Sequence, residues 1–179
     1  MPELEALFEI DTPALRKARG AYFTPEGISR FISTWAIRRG DDRVMEPSAG
    51  DAAFMVAAVE RLKNLAEDPK ASPLIEGVEI HEHSARIGHE RVVAAGGTPD
   101  ITVSDFFSVS PEPVYDAVIG NPPYIRYQDF SGVSRTKAAE AALRAGVRLS
   151  RLASSWAAFV VHSALFLKTG GRLGLVLPA

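Results

Sequence analysis

The chain has 179 residues, 46% of them hydrophobic, with a formal net charge of −2 and no cysteine. That length gives one domain with a substantial core and is short for two, and the absence of thiols excludes disulfides, thiolate metal sites and cysteine nucleophiles. The longest apolar stretch, Trp156 to Leu167, is broken by His162 and Ser163 and falls short of the ~20 residues of a membrane span, while Met1 leads into Glu3, Glu5 and Glu9 instead of a secretory leader, so a soluble cytoplasmic protein without membrane association is expected.

The first informative segment is Ala18-Arg19-Gly20-Ala21-Tyr22-Phe23-Thr24-Pro25. Thr24 followed by Pro25 predicts a helix start, an N-cap and then a first-turn proline. Ile28, Phe31, Ile32, Trp35 and Ala36 fall on one face of that helix, which is expected to pack on a sheet. Arg43 to Glu46 reads as a short strand entering the turn Pro47-Ser48-Ala49-Gly50, and Asp51 to Leu65 as a helix buried through Phe54, Val59 and Leu62. Leu74 to Ile80 is a second strand, followed by a helix from about Ser84 to Ala95 that Gly96-Gly97 ends. Ile101 to Ser104 is a third strand, and Tyr115 to Ile119 a fourth that runs through Gly120 into Asn121-Pro122-Pro123-Tyr124. A long helix from Ala153 to Lys168, stopped by Gly170-Gly171, precedes a fifth strand, Arg172 to Leu177. Repeated strand–helix–strand units predict an α/β fold, a doubly wound, mostly parallel sheet with helices on both faces. Ligands of such sheets lie at the carboxyl ends of the strands, where strand order reverses.

The residues with the clearest chemistry stand at those ends. In Asn121-Pro122-Pro123-Tyr124 the prolines fix φ and carry no N–H, leaving carbonyls to accept hydrogen bonds. Asn121 adds a further acceptor, and Tyr124 adds a flat ring. Such a turn suits a planar substrate with an exocyclic amine, adenine in DNA being the obvious candidate. The turn Ser48-Ala49-Gly50 allows close approach to the backbone at a helix start, and Glu46 beside it disfavours phosphate and favours an ammonium. Glu79, ending the second strand, is placed to take both hydroxyls of a ribose. Asp105, before Phe106, is placed to accept from an adenine amine while a ring packs on the purine. Together these describe a ligand with an amino acid, a ribose and adenine in that order, which is S-adenosylmethionine. The Thr24 region is then placed to reach the carboxylate of that cofactor. His81 and His83 are set aside as metal ligands, because no cysteines or paired acids accompany them.

The ordered set Gly20 to Pro25, Glu46 to Gly50, Glu79, Asp105-Phe106 and Asn121 to Tyr124 resembles the amino-group DNA methyltransferases, the N6-adenine enzymes of restriction–modification systems. The resemblance covers nearly the whole chain and implies a class I, Rossmann-like, S-adenosylmethionine-dependent fold. It implies that Thr24, Glu46, Ser48, Ala49 and Gly50 hold the methionine moiety and that Glu79 holds the ribose. Ile80, Asp105 and Phe106 would surround the adenine, with Asn121 beside the cofactor. Asn121 and the Pro122 carbonyl would accept from the target amine, and Tyr124 would stack on the flipped base. One glycine stands in the first turn where relatives often have more, and His81 replaces the acid often found two places after the ribose carboxylate. A protein glutamine N5-methyltransferase would use the same four-residue turn, and an N4-cytosine enzyme or a catalytically silent cofactor-binding module are further alternatives.

Residues 125–151 carry six cations (Arg126, Arg135, Lys137, Arg144, Arg148 and Arg151) against Asp129 and Glu140, a net +4, leaving −6 for the remainder. Directly after the Asn-Pro-Pro-Tyr turn, these cations are expected to contact DNA phosphates. Residues 1–42 are expected to form a helical segment carrying the Gly20–Pro25 motif and 43–179 the Rossmann-like core. The later strands and the DNA target-recognition domain of the family find no room, so double-stranded DNA is the expected partner together with a recognition part encoded elsewhere. The fifth-strand edge is expected to invite self-association.

Overall fold

The computed structural model describes residues 24–68, 70–124, 132–150 and 154–178. In chain order the elements are α1 (Glu26–Ala36), β1 (Val44–Glu46), α2 (Ala53–Leu65), β2 (Leu74–Glu79), α3 (Glu82–Ala94), β3 (Thr98–Val103), a 3-10 turn (Phe106–Ser108), β4 (Tyr115–Gly120), α4 (Gly132–Arg144), α5 (Ser155–Ala164) and β5 (Leu167–Leu175). The strands form one sheet in the order β3-β2-β1-β4-β5. All four pairings are parallel. Strand order reverses between β1 and β4, which opens a crevice above their carboxyl ends.

Alternation along the strands builds two cores. Val44, Ile75, Ala117 and Ile119 pack with Phe54, Met55, Val59 and Leu62 of α2 and Val92 of α3. Met45, Val78 and Val118 face the other way, into Phe106, Phe107, Phe159, Phe166 and the alanines Ala138 and Ala141 of α4. Both faces of the sheet's centre are therefore covered, and the central strands β1 and β4 are buried almost throughout. Within the second core His162 is fully buried. Its Nε2 lies 3.2 Å from the carbonyl oxygens of both Phe106 and Val109, and burial pushes its pKa down, so the neutral ring pins the 3-10 turn to α5.

Four sequence expectations require correction. The fifth strand starts at Leu167, five residues before Arg172 and inside the expected long helix, which ends at Ala164. Leu165 and Phe166 close the helix by donating to His162 and Ser163. Gly170-Gly171 then serve a bulge within β5, not a helix stop: the pairing jumps from Tyr115↔Leu167 to Ala117↔Arg172, and Gly170 takes a φ of +82°. β3 likewise begins at Thr98, where Pro99 pairs opposite Ile75; an edge strand tolerates the missing N–H.

The third correction concerns the packed face of α1. Its buried residues are Ser29, Ser33 and Ala36, whereas Ile28, Phe31 and Trp35 are 41%, 74% and 50% exposed. The absence of a side chain at Gly174 lets the helix approach β5 closely: a Cβ there would lie 2.6 Å from the Ile32 Cγ2. The fourth is the cap of α1. Pro25 occupies the N-cap position without a side-chain bond, because the Thr24 hydroxyl is engaged elsewhere, as described below. Gly20 to Phe23, Arg126 and Arg151 lie outside the described residues.

Candidate active site

A chain of hydrogen bonds crosses the carboxyl ends of β4, β1 and β2. Asn121, the residue after β4, donates from Nδ2 to Thr24 Oγ1 at 3.1 Å, a contact spanning 97 residues. Its backbone carbonyl accepts from Ser48 Oγ at 3.3 Å, tying the β4 turn to the β1 loop. Two residues on, the Gly50 N–H donates to Glu79 Oε2 at 2.7 Å, tying the β1 loop to β2. The other oxygen of Glu79 accepts from the His81 N–H at 2.9 Å. Thr24, Asn121, Ser48, Gly50 and Glu79, chosen on separate grounds from the sequence, thus belong to one connected network.

The β1 loop owes its shape to two left-handed residues, Gly50 at φ +53° and Ala52 at φ +63°. For alanine that conformation costs roughly 1–2 kcal/mol, and such strain concentrates where a backbone is held for a ligand. It is fixed from several sides. The Ala49 N–H donates to the Val78 carbonyl and the Ala52 N–H to the Ala49 carbonyl. Gly88 of α3 lies so near that a Cβ there would be 3.2 Å from the Ala52 Cβ. Gly88 is a participant that the sequence reading missed, since an isolated glycine within a helix carries no local signal of what it faces.

Glu46, the last residue of β1, is 3% exposed. Its Oε2 accepts from the Met55 N–H in the first turn of α2 at 3.1 Å. Burial pushes its pKa well above the usual carboxylate range; the Met55 N–H opposes this, Asp51 and Glu79 add to it and Arg91 opposes it. A buried acid so held takes up a proton unless a cation arrives beside it.

In the turn after β4, Tyr124 points inward. Its hydroxyl lies 2.5 Å from Asn121 Oδ1 and 2.8 Å from the Val176 carbonyl, and burial raises its pKa. The Pro123 carbonyl accepts from Ser155 Oγ at 2.6 Å, so this second proline's oxygen is committed. The Pro122 carbonyl accepts no hydrogen bond among the described residues. Ser155 and Val176 are structural partners of the turn that sequence reasoning did not find, because they meet it only after α5 and β5 dock.

Asp105 follows β3 and caps the 3-10 turn, its Oδ1 accepting from the Phe107 N–H at 3.1 Å. Its Oδ2 pairs with Lys137 Nζ at 3.2 Å, and the same ammonium reaches Ser108 Oγ. Lys137 is therefore paired with Asp105, while Arg144 and Arg148 are exposed. The expectation that the Phe106 ring packs on a purine also needs correction. The ring is 3% exposed and stacks against Phe159 and Phe166, with centroids 5.2 and 5.3 Å away. Core packing has claimed it. Ile80 is 58% exposed just past the end of β2 and offers the apolar surface there.

The chain matches the N-6 DNA Methylase family over residues 4–179. It is 25% identical over 159 residues to the Type II methyltransferase M.HincII of Haemophilus influenzae, covering 89% of this chain and 28% of that protein. It is 31% identical over 156 residues to the Type II methyltransferase M.XamI of Xanthomonas campestris pv. amaranthicola, covering 84% and 28%. Among solved structures, the methyltransferase subunit of a type I restriction–modification system from Streptococcus thermophilus superposes with a TM-score of 0.69 at 19% identity, over 88% of this chain and 34% of that one. The type IIG restriction endonuclease BpuSI gives 0.71 at 20% identity, over 92% and 21%. At such identities the likeness is one of fold. The chain spans 28% of the length of these two curated relatives.

Proposed function

The chain belongs to the N-6 DNA methylase family, and on that premise we propose that it forms the cofactor-binding and methyl-transferring part of an adenine-specific DNA methyltransferase of a restriction–modification system. The observation carrying this reading is the network joining Thr24, Asn121, Ser48, Gly50 and Glu79 over the point where strand order reverses. It supports a reading in which an amine acceptor and a nucleoside-binding row share one crevice.

The residues present fit S-adenosylmethionine. Glu46 is a carboxyl group whose pKa is raised chiefly by its burial, and the methionine ammonium would favour its charged form. Glu79 already holds two N–H groups, but a carboxylate has about four lone-pair sites, so two remain for ribose hydroxyls. Ile80 offers an apolar wall and Asp105 an acceptor for the adenine, the proposed share of Phe106 being backbone and not ring. Thr24 and the Ser48–Gly50 loop complete the methionine end. Bound there, S-adenosylmethionine supplies a methyl group activated on a sulfonium.

The chain's own groups then act on the target amine, a poor nucleophile because its lone pair is delocalised into the purine. Asn121 Oδ1 and the Pro122 carbonyl accept its two hydrogens, which favours a pyramidal nitrogen and stabilises the positive charge that develops on it. Hydrogen bonds to a charged group contribute ~1.5–3 kcal/mol each, roughly one to two decades of rate where they strengthen in the transition state. The Tyr124 hydroxyl, on Asn121 Oδ1 in this structure, gives way to the amine, and its ring flanks the extruded base, with stacking of ~1–3 kcal/mol. Double-stranded DNA is the proposed partner, read by a part outside these residues, and the proposed location is cytoplasmic.

Calorimetry of the chain with S-adenosylmethionine and tritiated-methyl transfer to duplex DNA by the complete enzyme test this together. Binding without DNA is expected, as is loss of adenine methylation in Asn121→Ala with binding retained. No cofactor binding, or methylation of a glutamine peptide in preference to adenine, refutes the reading.

A further inference from the structure

Thr24 stands between two sites. Its Oγ1 is 3.1 Å from Asn121 Nδ2, and the residue also lines a cavity of about 220 Å³ between α1 and α2, with Arg91 and Ala53 of the first turn of α2 on the wall. The side chain is buried, at 7% exposure, so its hydroxyl chooses among few partners. That hydroxyl has one hydrogen to give and lone pairs with which to accept.

Asn121 must present its oxygen to a target amine, because its NH2 would oppose two further N–H donors. A carboxamide can turn over and exchange its ends, and the hydrogen bonds on either side decide which end faces out. Tyr124 does not decide it. With its one hydrogen on the Val176 carbonyl, 2.8 Å away, the Tyr124 oxygen accepts from an NH2; with the hydrogen turned to Asn121, it donates to Oδ1. The choice passes to Thr24. If the Thr24 hydrogen points to Asn121, it holds Oδ1 and the NH2 faces out. If the hydrogen goes to an acceptor in the cavity, Oγ1 can only accept, Nδ2 stays on it and Oδ1 faces out.

We propose that Thr24 is a positioning residue that sets the polarity of Asn121: a carboxylate bound in the adjoining cavity takes the Thr24 hydrogen and so fixes the Asn121 oxygen toward the target amine. Cofactor binding thereby prepares the amine acceptor before any base arrives. The inference rests on the reading that S-adenosylmethionine binds with its carboxylate at Thr24. Ion pairs already link Arg91 to Asp51 and Arg30 to both Glu26 and Glu60, so on this wall the Thr24 hydroxyl is a neutral donor among committed charges.

The test is spectroscopic and needs no turnover. Asn64, Asn121 and Gln128 are the chain's sources of side-chain amide signals, so the Asn121 pair is assigned from its loss in Asn121→Ala. In the ¹⁵N-labelled 179-residue chain, saturation with S-adenosylhomocysteine is expected to shift the Asn121 pair. It should also slow its hydrogen exchange about fivefold, as one net hydrogen bond would. Thr24→Val is expected to lose that response and Thr24→Ser to keep it. The decarboxylated cofactor, bound to the wild-type chain, is expected to leave the pair unmoved and decides the matter if Thr24→Val binds too weakly. An unchanged response in Thr24→Val, or the same response to the decarboxylated ligand, overturns the inference and leaves the functional reading standing. A wild-type chain that binds none of these ligands overturns both.

Discussion

Replacing Glu46 with glutamine should flatten the dependence of stability on pH. The carboxyl is 3% exposed and accepts one hydrogen bond, from Met55. Desolvation is the largest cause of its raised pKa. A carboxyl whose folded pKa exceeds its unfolded value, about 4.3 for glutamate, binds its proton more tightly in the folded state. Its stabilising effect is complete below the unfolded value and is lost as pH climbs to the folded one. Between those limits the slope reaches at most about 1.4 kcal/mol per pH unit. Glutamine keeps an acceptor for the Met55 N–H and has no proton to lose. Urea unfolding at pH 5, 6 and 7 should therefore show the wild type losing stability with rising pH relative to Glu46→Gln. The gap should widen by up to about 1.4 kcal/mol per unit and stop growing once the folded pKa is passed. Parallel curves for the two proteins would refute the claim that burial raises the Glu46 pKa. In the wild type, S-adenosylmethionine binding should release a proton wherever Glu46 is protonated beforehand, measurable as a heat that varies with the ionisation enthalpy of the buffer.

Tyr124→Phe removes the hydroxyl between Asn121 and Val176 and should lower stability by about 0.5–1.5 kcal/mol while freeing Asn121 Oδ1, so that amine capture tightens; urea unfolding and adenosine titration read the two effects. Glu79→Ala strands the Gly50 and His81 N–H groups, and its expected cost of about 1–3 kcal/mol accompanies weaker cofactor binding in calorimetry. β5 is an edge of the sheet, and concentration-dependent self-association is expected in sedimentation; a single monomeric species at all concentrations would refute that.

Much of this fold is legible in local chemistry. The short, largely apolar segments at Val44 to Glu46 and Tyr115 to Gly120 announce buried parallel strands, since a strand covered on both faces has no reason to alternate. Residues at strand ends, Gly50, Glu79 and the Asn121–Tyr124 set, lie at the carboxyl side because parallel crossovers place every strand end there. Other features depend on distant partners that no local pattern encodes. α1 presents an apolar arc centred near Ile28, Phe31 and Trp35 yet buries Ser29, Ser33 and Ala36, with Ile32 against Gly174 of β5, because the helix docks on a face that its own sequence does not specify. Phe106 reads as a ring for a purine and lies in a core with Phe159 and Phe166, because helix α5 arrives to claim it. Thr24 reads as a helix cap and meets Asn121 across 97 residues. The sequence alone thus determined the order of the strands and the chemistry at their ends, which are written in short windows of residues, although α4 and the 3-10 turn were not among the expected elements. Which face of a helix is buried, and which way a hydroxyl or a ring points, was decided by the tertiary structure, because each is a competition among partners brought together only by folding.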